Sequence, residues 1–199
     1  MNKTWWNCGS HTFDPSITYS EWYTNAMCTR QYYETNMCCA IHDDCYNDQH
    51  GQLFCDQHFC DCLDDSTNHA PAGCKLFGNT ACKAVEWFGA SAYKEAANAS
   101  SYNVPEYKMK SNPAISKKYS ELYKNCGTQH LTFNTCALNY DHCMSTWKNS
   151  SCTSAKKDCT IGLLSCLEQT DKARHDNEKC DKTVDEVRAL VEQEINKLD

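Results

Sequence analysis

The sequence predicts an all-α, disulfide-rich fold of two similar units, each built on a pair of antiparallel helices stapled together by disulfides. Three observations carry this. Seventeen of the 199 residues are cysteine, a share reached by disulfide scaffolds. Cys38 and Cys45 are seven apart, and so are Cys55 and Cys62; on a helix that spacing is two turns, about 10.5 Å, and returns to nearly the same face. The spacing then recurs downstream in Cys136 and Cys143 and in Cys159 and Cys166.

The first helix pair is expected over Thr35–Asn47 and Gly51–Asp64, with Gln49-His50-Gly51 as the reversal between them. Packed antiparallel, the two helices can be bridged twice, Cys38 to Cys62 and Cys45 to Cys55. The counterparts in the second unit are Thr135–Lys148 and Ser154–Glu168, with staples Cys136–Cys166 and Cys143–Cys159. Lys75–Lys94 is a further candidate helix. The tail Thr183–Leu198 carries Val184, Val187, Val191, Ile195 and Leu198 at helical spacing among charges, which marks an amphipathic helix that covers a core. Little or no sheet is expected. Asn7-Cys8-Gly9-Ser10 is echoed by Asn125-Cys126-Gly127-Thr128 and Asn36-Met37-Cys38 by Asn134-Thr135-Cys136, so an internal duplication is expected. The boundaries follow: residues 1–100 form one unit, 101–124 a linker containing Pro105 and Pro113, and 125–199 a second unit ending in the amphipathic helix.

Cysteine at this density belongs to an oxidising, extracellular compartment. The N-x-S/T sequons at Asn2, Asn98 and Asn149 fit a secreted glycoprotein. No apolar leader follows Met1, so the chain is expected to be a mature form. No stretch is long and apolar enough to span a bilayer. A net charge of −7 argues against nucleic acid and against strong electrostatic docking to anionic membranes.

The segment Cys38-Cys39-Ala40-Ile41-His42-Asp43-Asp44-Cys45-Tyr46 holds the chemistry. His42 lies four after Cys38 and three before Cys45, so it shares the stapled face. A rigidly held histidine beside carboxylates suits general-base or metal-assisted chemistry. The second unit has Tyr140 in place of His42, Ala137 in place of Cys39 and Thr160 in place of Asp56, while Asp141 retains the carboxylate of Asp43. Staples kept without the chemistry imply one active and one degenerate unit. The competing reading makes His42 an ordinary packed histidine. Cys38, Cys39, His42 and Cys45 also imitate a zinc site, which the compartment and the antiparallel cysteine arithmetic disfavour.

Cys-Cys-x-x-His-Asp-x-Cys, followed by Cys55-Asp56 and by Phe59, Asp61, Cys62 and Leu63, resembles the secreted phospholipase A2 family, and most of all its short, insect-venom-like branch. The resemblance covers roughly residues 5–65 and reaches the second unit only as a degenerate copy. It implies that His42 is the general base toward water, that Asp56 holds the other ring nitrogen, and that Tyr46 braces Asp56. It implies calcium as cofactor, held by Asp43 and by the backbone carbonyls of Asn7, Gly9 and His11, with the Gly9 N–H as oxyanion donor. It further implies a Cys8–Cys39 bridge and a phospholipid membrane surface as peripheral partner. Two departures stand out. His11 occupies a place where the family usually has glycine, and the segment between Cys8 and Cys38 is longer than expected and contains Cys28.

Trp5, Trp6, Phe13, Tyr19, Trp22, Tyr23, Tyr32 and Tyr33 crowd the first unit. They serve either as an interfacial surface or as a small core, with Trp5-Trp6 leaning to the interface. Cys74 with Cys82 and Cys28 with Cys60 are candidate pairs. Seventeen is odd, so one thiol stays free, links to another chain or pairs with a small thiol; it is expected among Cys126, Cys152 and Cys180. Two functional classes result. One is a calcium-dependent phospholipase A2 cutting the sn-2 ester of glycerophospholipids. The other is a catalytically inert lipid- or protein-binding module on the same scaffold.

Overall fold

A computed structural model describes residues 6–9, 14–98, 105–127, 129–147, 153–172 and 177–198. Among these the chain is helical with no strand: α1 (Asp14–Met27), α2 (Tyr32–Asn47), α3 (Gln52–Thr67), α4 (Ala72–Asn98), α5 (Pro113–Asn125), α6 (His130–Thr146), α7 (Thr153–Lys172) and α8 (Glu178–Asn196). It divides into two compact units, Met1–Asn103 and Val104–Asp199.

In the first unit α3 packs on both α2 and α4, and α1 lies against α4 and α2. Helix α2 is central and buried along most of its length, polar residues included: Thr35, Asn36, His42 and Asp44 are all buried. Such a helix survives only if its polar side chains find partners. The core is built around sulfur, with Trp6, Cys8, Cys38, Cys39, Phe59 and Leu63 in one cluster. Trp6 is 3% exposed and stacks on Tyr32 with ring centroids 4.8 Å apart, which corrects its expected place at an interface. Tyr19 and Trp22, both 63% exposed, face solvent from α1. Trp5 and Phe13 lie outside the described residues.

In the second unit α7 packs on α6 and α8, and α5 lies against α8 and α6. Here the core is aliphatic: Ile115, Leu122, Leu163, Leu167, Val184, Val187 and Val191 are fully or almost fully buried. The tail helix therefore covers a core, as its periodicity predicts. Helix α5 occupies the whole second half of the expected linker. Its start is specified locally, because Asn112 accepts hydrogen bonds from the N–H groups of Ala114 and Ile115 and Pro113 occupies the first helical position.

Both predicted staples of each unit form: Cys38–Cys62 and Cys45–Cys55 in the first, Cys136–Cys166 and Cys143–Cys159 in the second, with Cα–Cα distances of 5.7 and 5.8 Å, then 5.7 and 5.7 Å. Cys8–Cys39 forms as well. The pairings Cys74–Cys82 and Cys28–Cys60 do not form. Cys28 bonds Cys74, and Cys60 bonds Cys82. The reason is helix rise: Cys74 and Cys82 sit eight residues apart on α4, about 12 Å along its axis, beyond the roughly 7 Å that a disulfide spans. Cys126 bonds Cys180. Sixteen cysteines are thus paired, and Cys152 lies outside the described residues.

This pairing corrects one of the sequence echoes. Cys126 closes α5 and bonds the start of α8, as Cys28 follows α1 and bonds the start of α4. The positional counterpart of Cys126 in the helix order is therefore Cys28, not Cys8. The likeness of Asn7-Cys8-Gly9 to Asn125-Cys126-Gly127 relates two segments with different structural roles.

Candidate active site

His42 on α2 and Asp56 on α3 meet between two stapled helices. The Cys45–Cys55 bridge is next to Asp56 in sequence and one turn from His42, so it sets the distance between them. Nε2 of His42 lies 3.0 Å from Oδ1 of Asp56, and the residues are 7% and 5% exposed. The Tyr46 hydroxyl donates a short hydrogen bond to the same Oδ1. Gln52 Nε2 donates to the other carboxylate oxygen at 3.2 Å. Tyr46 and Phe59 pack on the imidazole, with ring centroids 4.1 and 4.7 Å away. When the neutral ring carries its proton at Nε2 and donates that N–H as a hydrogen bond to Asp56, Nδ1 keeps its lone pair. Nδ1 faces Asp43, 3.9 Å from its Oδ1.

The electrostatics follow from these contacts. Burial disfavours the imidazolium, but the carboxylates of Asp43 and Asp56 outweigh it and the His42 pKa is raised. For Asp56 burial favours the neutral acid, yet hydrogen bonds from His42, Tyr46 and Gln52 prevail and its pKa is lowered. Burial and then the Asp56 carboxylate keep the Tyr46 phenol protonated, far above its ordinary range.

The loop that opens the unit is tied down on several sides. Asn7 donates its backbone N–H to Asn36 Oδ1 at 2.7 Å. Ser20 on α1 donates to the Cys8 carbonyl at 2.6 Å and accepts from Trp6 Nε1 at 2.8 Å. Gly9 has φ +126°, and a Cβ there would lie 2.8 Å from the Ile17 backbone, so only glycine fits. Cys8 is bonded to Cys39, one helical turn before Asp43, which brings the loop to the face of α2 that carries Asp43. The buried Oδ2 of Asp43 has no hydrogen-bond partner among the described residues. His11 lies outside the described residues. Cys38, Cys39 and Cys45 are all in disulfides, which removes the zinc alternative.

In the second unit Tyr140 and Thr160 are both buried; burial raises the Tyr140 phenol pKa, and the side chains of Thr160 and Asn112 offset part of that rise. Asp141 is handled differently from Asp43. The Tyr107 hydroxyl and the Lys110 N–H donate to its Oδ2 at 2.8 and 2.7 Å, and the Ser111 N–H donates to Oδ1 at 2.8 Å. Tyr107 also donates its N–H to Asn134 Oδ1 at 2.9 Å, the contact Asn7 makes with Asn36. The segment 105–111, rather than 125–127, stands where the first unit has Trp6 to Gly9.

Gln52 and Ser20 are site residues that sequence reasoning missed, and Phe59 entered it as a motif residue with no role assigned at the site. Gln52 was detectable in principle, because it precedes Asp56 by one helical turn; the other two meet the site only through tertiary packing.

Comparison with known proteins gives a relationship of the phospholipase A2-like kind. The chain is similar to a phospholipase A2-like protein of Caenorhabditis elegans, 37% identical over 89 residues, a match covering 45% of this chain and 50% of the relative. The chain thus spans about half the length of the curated relative it matches. No family model matches, and no solved structure matches.

Proposed function

We propose that the chain is a secreted, calcium-dependent phospholipase A2 whose first unit hydrolyses the sn-2 ester of glycerophospholipids. The observation that carries this is the His42–Asp56 pair: a buried imidazole fixed through Nε2, with Nδ1 directed toward Asp43. His42 Nδ1 takes the proton from the attacking water, while Asp56 holds the ring in the required tautomer and stabilises the imidazolium that forms. Tyr46 keeps Asp56 ionised and in place. The Gly9 N–H is the donor to the developing oxyanion.

Asp43 and the carbonyls of Asn7, Gly9 and His11 would hold calcium. The donor set suits a hard cation that prefers oxygen ligands, and the unpartnered buried Oδ2 of Asp43 supports a ligand there, since a buried carboxylate oxygen without a partner is costly. Bound calcium supplies positive charge to polarise the ester carbonyl.

The second unit is, in this reading, a degenerate duplicate. The same helix order, the matching staples and the matching Cys28–Cys74 and Cys126–Cys180 bridges support it. The donors on Asp141 support an absence of calcium there. Secretion fits the eight disulfides. No helix among the described residues is long and apolar enough to cross a membrane. A peripheral phospholipid surface as partner is supported by exposed Tyr19, Trp22, Leu53, Trp87 and Phe88, since tryptophan and tyrosine suit the headgroup region. The test is calcium-dependent release of fatty acid from phospholipid vesicles by the full chain. Release that survives excess chelator would remove the calcium part of the reading.

A further inference from the structure

Helix α4 packs on both α2 and α3 and reaches the candidate site through a glycine. Gly89 is buried on α4. A Cβ built there would overlap the Tyr46 hydroxyl and lie 3.3 Å from both Asp56 Oδ2 and Gln52 Nε2. One turn further on, Tyr93 meets Tyr46 edge-on with ring centroids 5.1 Å apart. The Tyr93 hydroxyl accepts the Gly51 N–H at 2.9 Å, and its carbonyl accepts from Gln49 Nε2 at 3.0 Å. The C-terminal half of α4 is therefore clamped to the α2–α3 turn, with Gly89 pressed against the atoms that hold His42. Gln52 completes the enclosure by donating to the Asp56 oxygen that His42 and Tyr46 leave uncontacted.

We propose that Gln52 and Gly89 are positioning residues of this site, fixing the Asp56 carboxylate and the Tyr46 hydroxyl so that the His42 ring is held in one orientation and one tautomer. The proposal rests on the hydrolase reading of His42, but its structural content can be tested apart from turnover. Gln52 is half-buried, near the start of α3, so its replacement leaves the core untouched. Alanine is a better helix former than glycine; a Gly89→Ala defect would therefore report the contact with Tyr46 and Asp56, not a weakened helix.

The experiment uses the full disulfide-bonded chain as wild type and as Gln52→Leu, Gln52→Lys, Gly89→Ala, Tyr46→Phe and Gly89→Ala/Tyr46→Phe. For each, the ¹⁵N shifts of the His42 ring nitrogens are recorded, and kcat and KM are measured on phosphatidylcholine vesicles with calcium. Gln52→Leu is expected to lower kcat about tenfold at unchanged KM and to shift ring protonation away from Nε2. Gln52→Lys, which still donates to Asp56, recovers most of both. Gly89→Ala shows the same two effects, and combining it with Tyr46→Phe adds nothing beyond Tyr46→Phe, because removal of the hydroxyl makes room for the methyl. Wild-type kcat and ring shifts in Gln52→Leu overturn the proposal for Gln52. A Gly89→Ala loss that adds fully to that of Tyr46→Phe overturns it for Gly89. If the wild type releases no fatty acid, the hydrolase reading fails alone, and the ring shifts still decide both residues.

Discussion

His42 and Asp56 sit on different helices yet meet at 3.0 Å, because the disulfide Cys45–Cys55 crosses from α2 to α3 beside them. Two short helices of this length have little stability alone. The covalent staples and the sulfur-rich core are what keep a buried polar pair in register.

This separates stability from activity among the bridges. In the loop-entropy picture, removing Cys45–Cys55, whose cysteines are 10 apart, costs about 2.7 kcal/mol. Removing Cys28–Cys74, whose separation is 46, costs about 4 kcal/mol. Paired alanine variants should therefore rank Cys28/Cys74 as the less stable in denaturant melts and Cys45/Cys55 as the less active in vesicle assays. The reverse activity ranking would mean that the staple does not position the pair.

Asp43 and Asp141 should respond differently to one substitution. Asp43→Asn is expected to abolish calcium binding in calorimetry with little change in stability. Asp141→Asn weakens three charge-assisted hydrogen bonds and should lower stability by about 1–3 kcal/mol, leaving calcium binding unchanged. Loss of calcium binding in Asp141→Asn would place a cation in the second unit.

Gly9→Ala should lower both stability and calcium affinity, since a side chain at φ +126° is strained and its Cβ would strike the Ile17 backbone. Isothermal titration beside thermal melting reads both quantities. Wild-type values in each would show that the loop is not held against α1.

Tyr140→His alone should not create activity in a chain whose first unit is silenced by His42→Gln. Thr160 offers no carboxylate to orient the ring, and Asp141 is already filled by Tyr107, Lys110 and Ser111. Robust fatty-acid release from that double variant would show the second unit to be intact.

The staples were legible because a seven-residue cysteine spacing is a geometric statement about one helix face, and His42 and Asp56 came with them. Helices α1 and α5 were not legible by that route, because neither carries a seven-spaced pair. Their shared starts, Asp14-Pro15-Ser16-Ile17 and Asn112-Pro113-Ala114-Ile115, were the available signal: an Asx residue before proline is a helix-start pattern. Cys28 and Cys60 were mispaired because pairing by proximity ignores the rise of α4. Gly89 was invisible because its meaning lies in a contact across three helices. The loop of the second unit was misplaced because Asn-Cys-Gly recurs at Asn125 for a different purpose.

The most direct test of the central claim is fatty-acid release from mixed phosphatidylcholine and phosphatidylglycerol vesicles, with calcium and with excess chelator, by the full chain beside His42→Gln. The account predicts release that needs calcium and falls by about a hundredfold or more in His42→Gln, with the variant still folded and binding calcium. Full release by the folded His42→Gln variant, or none by the wild type under any condition, would contradict it.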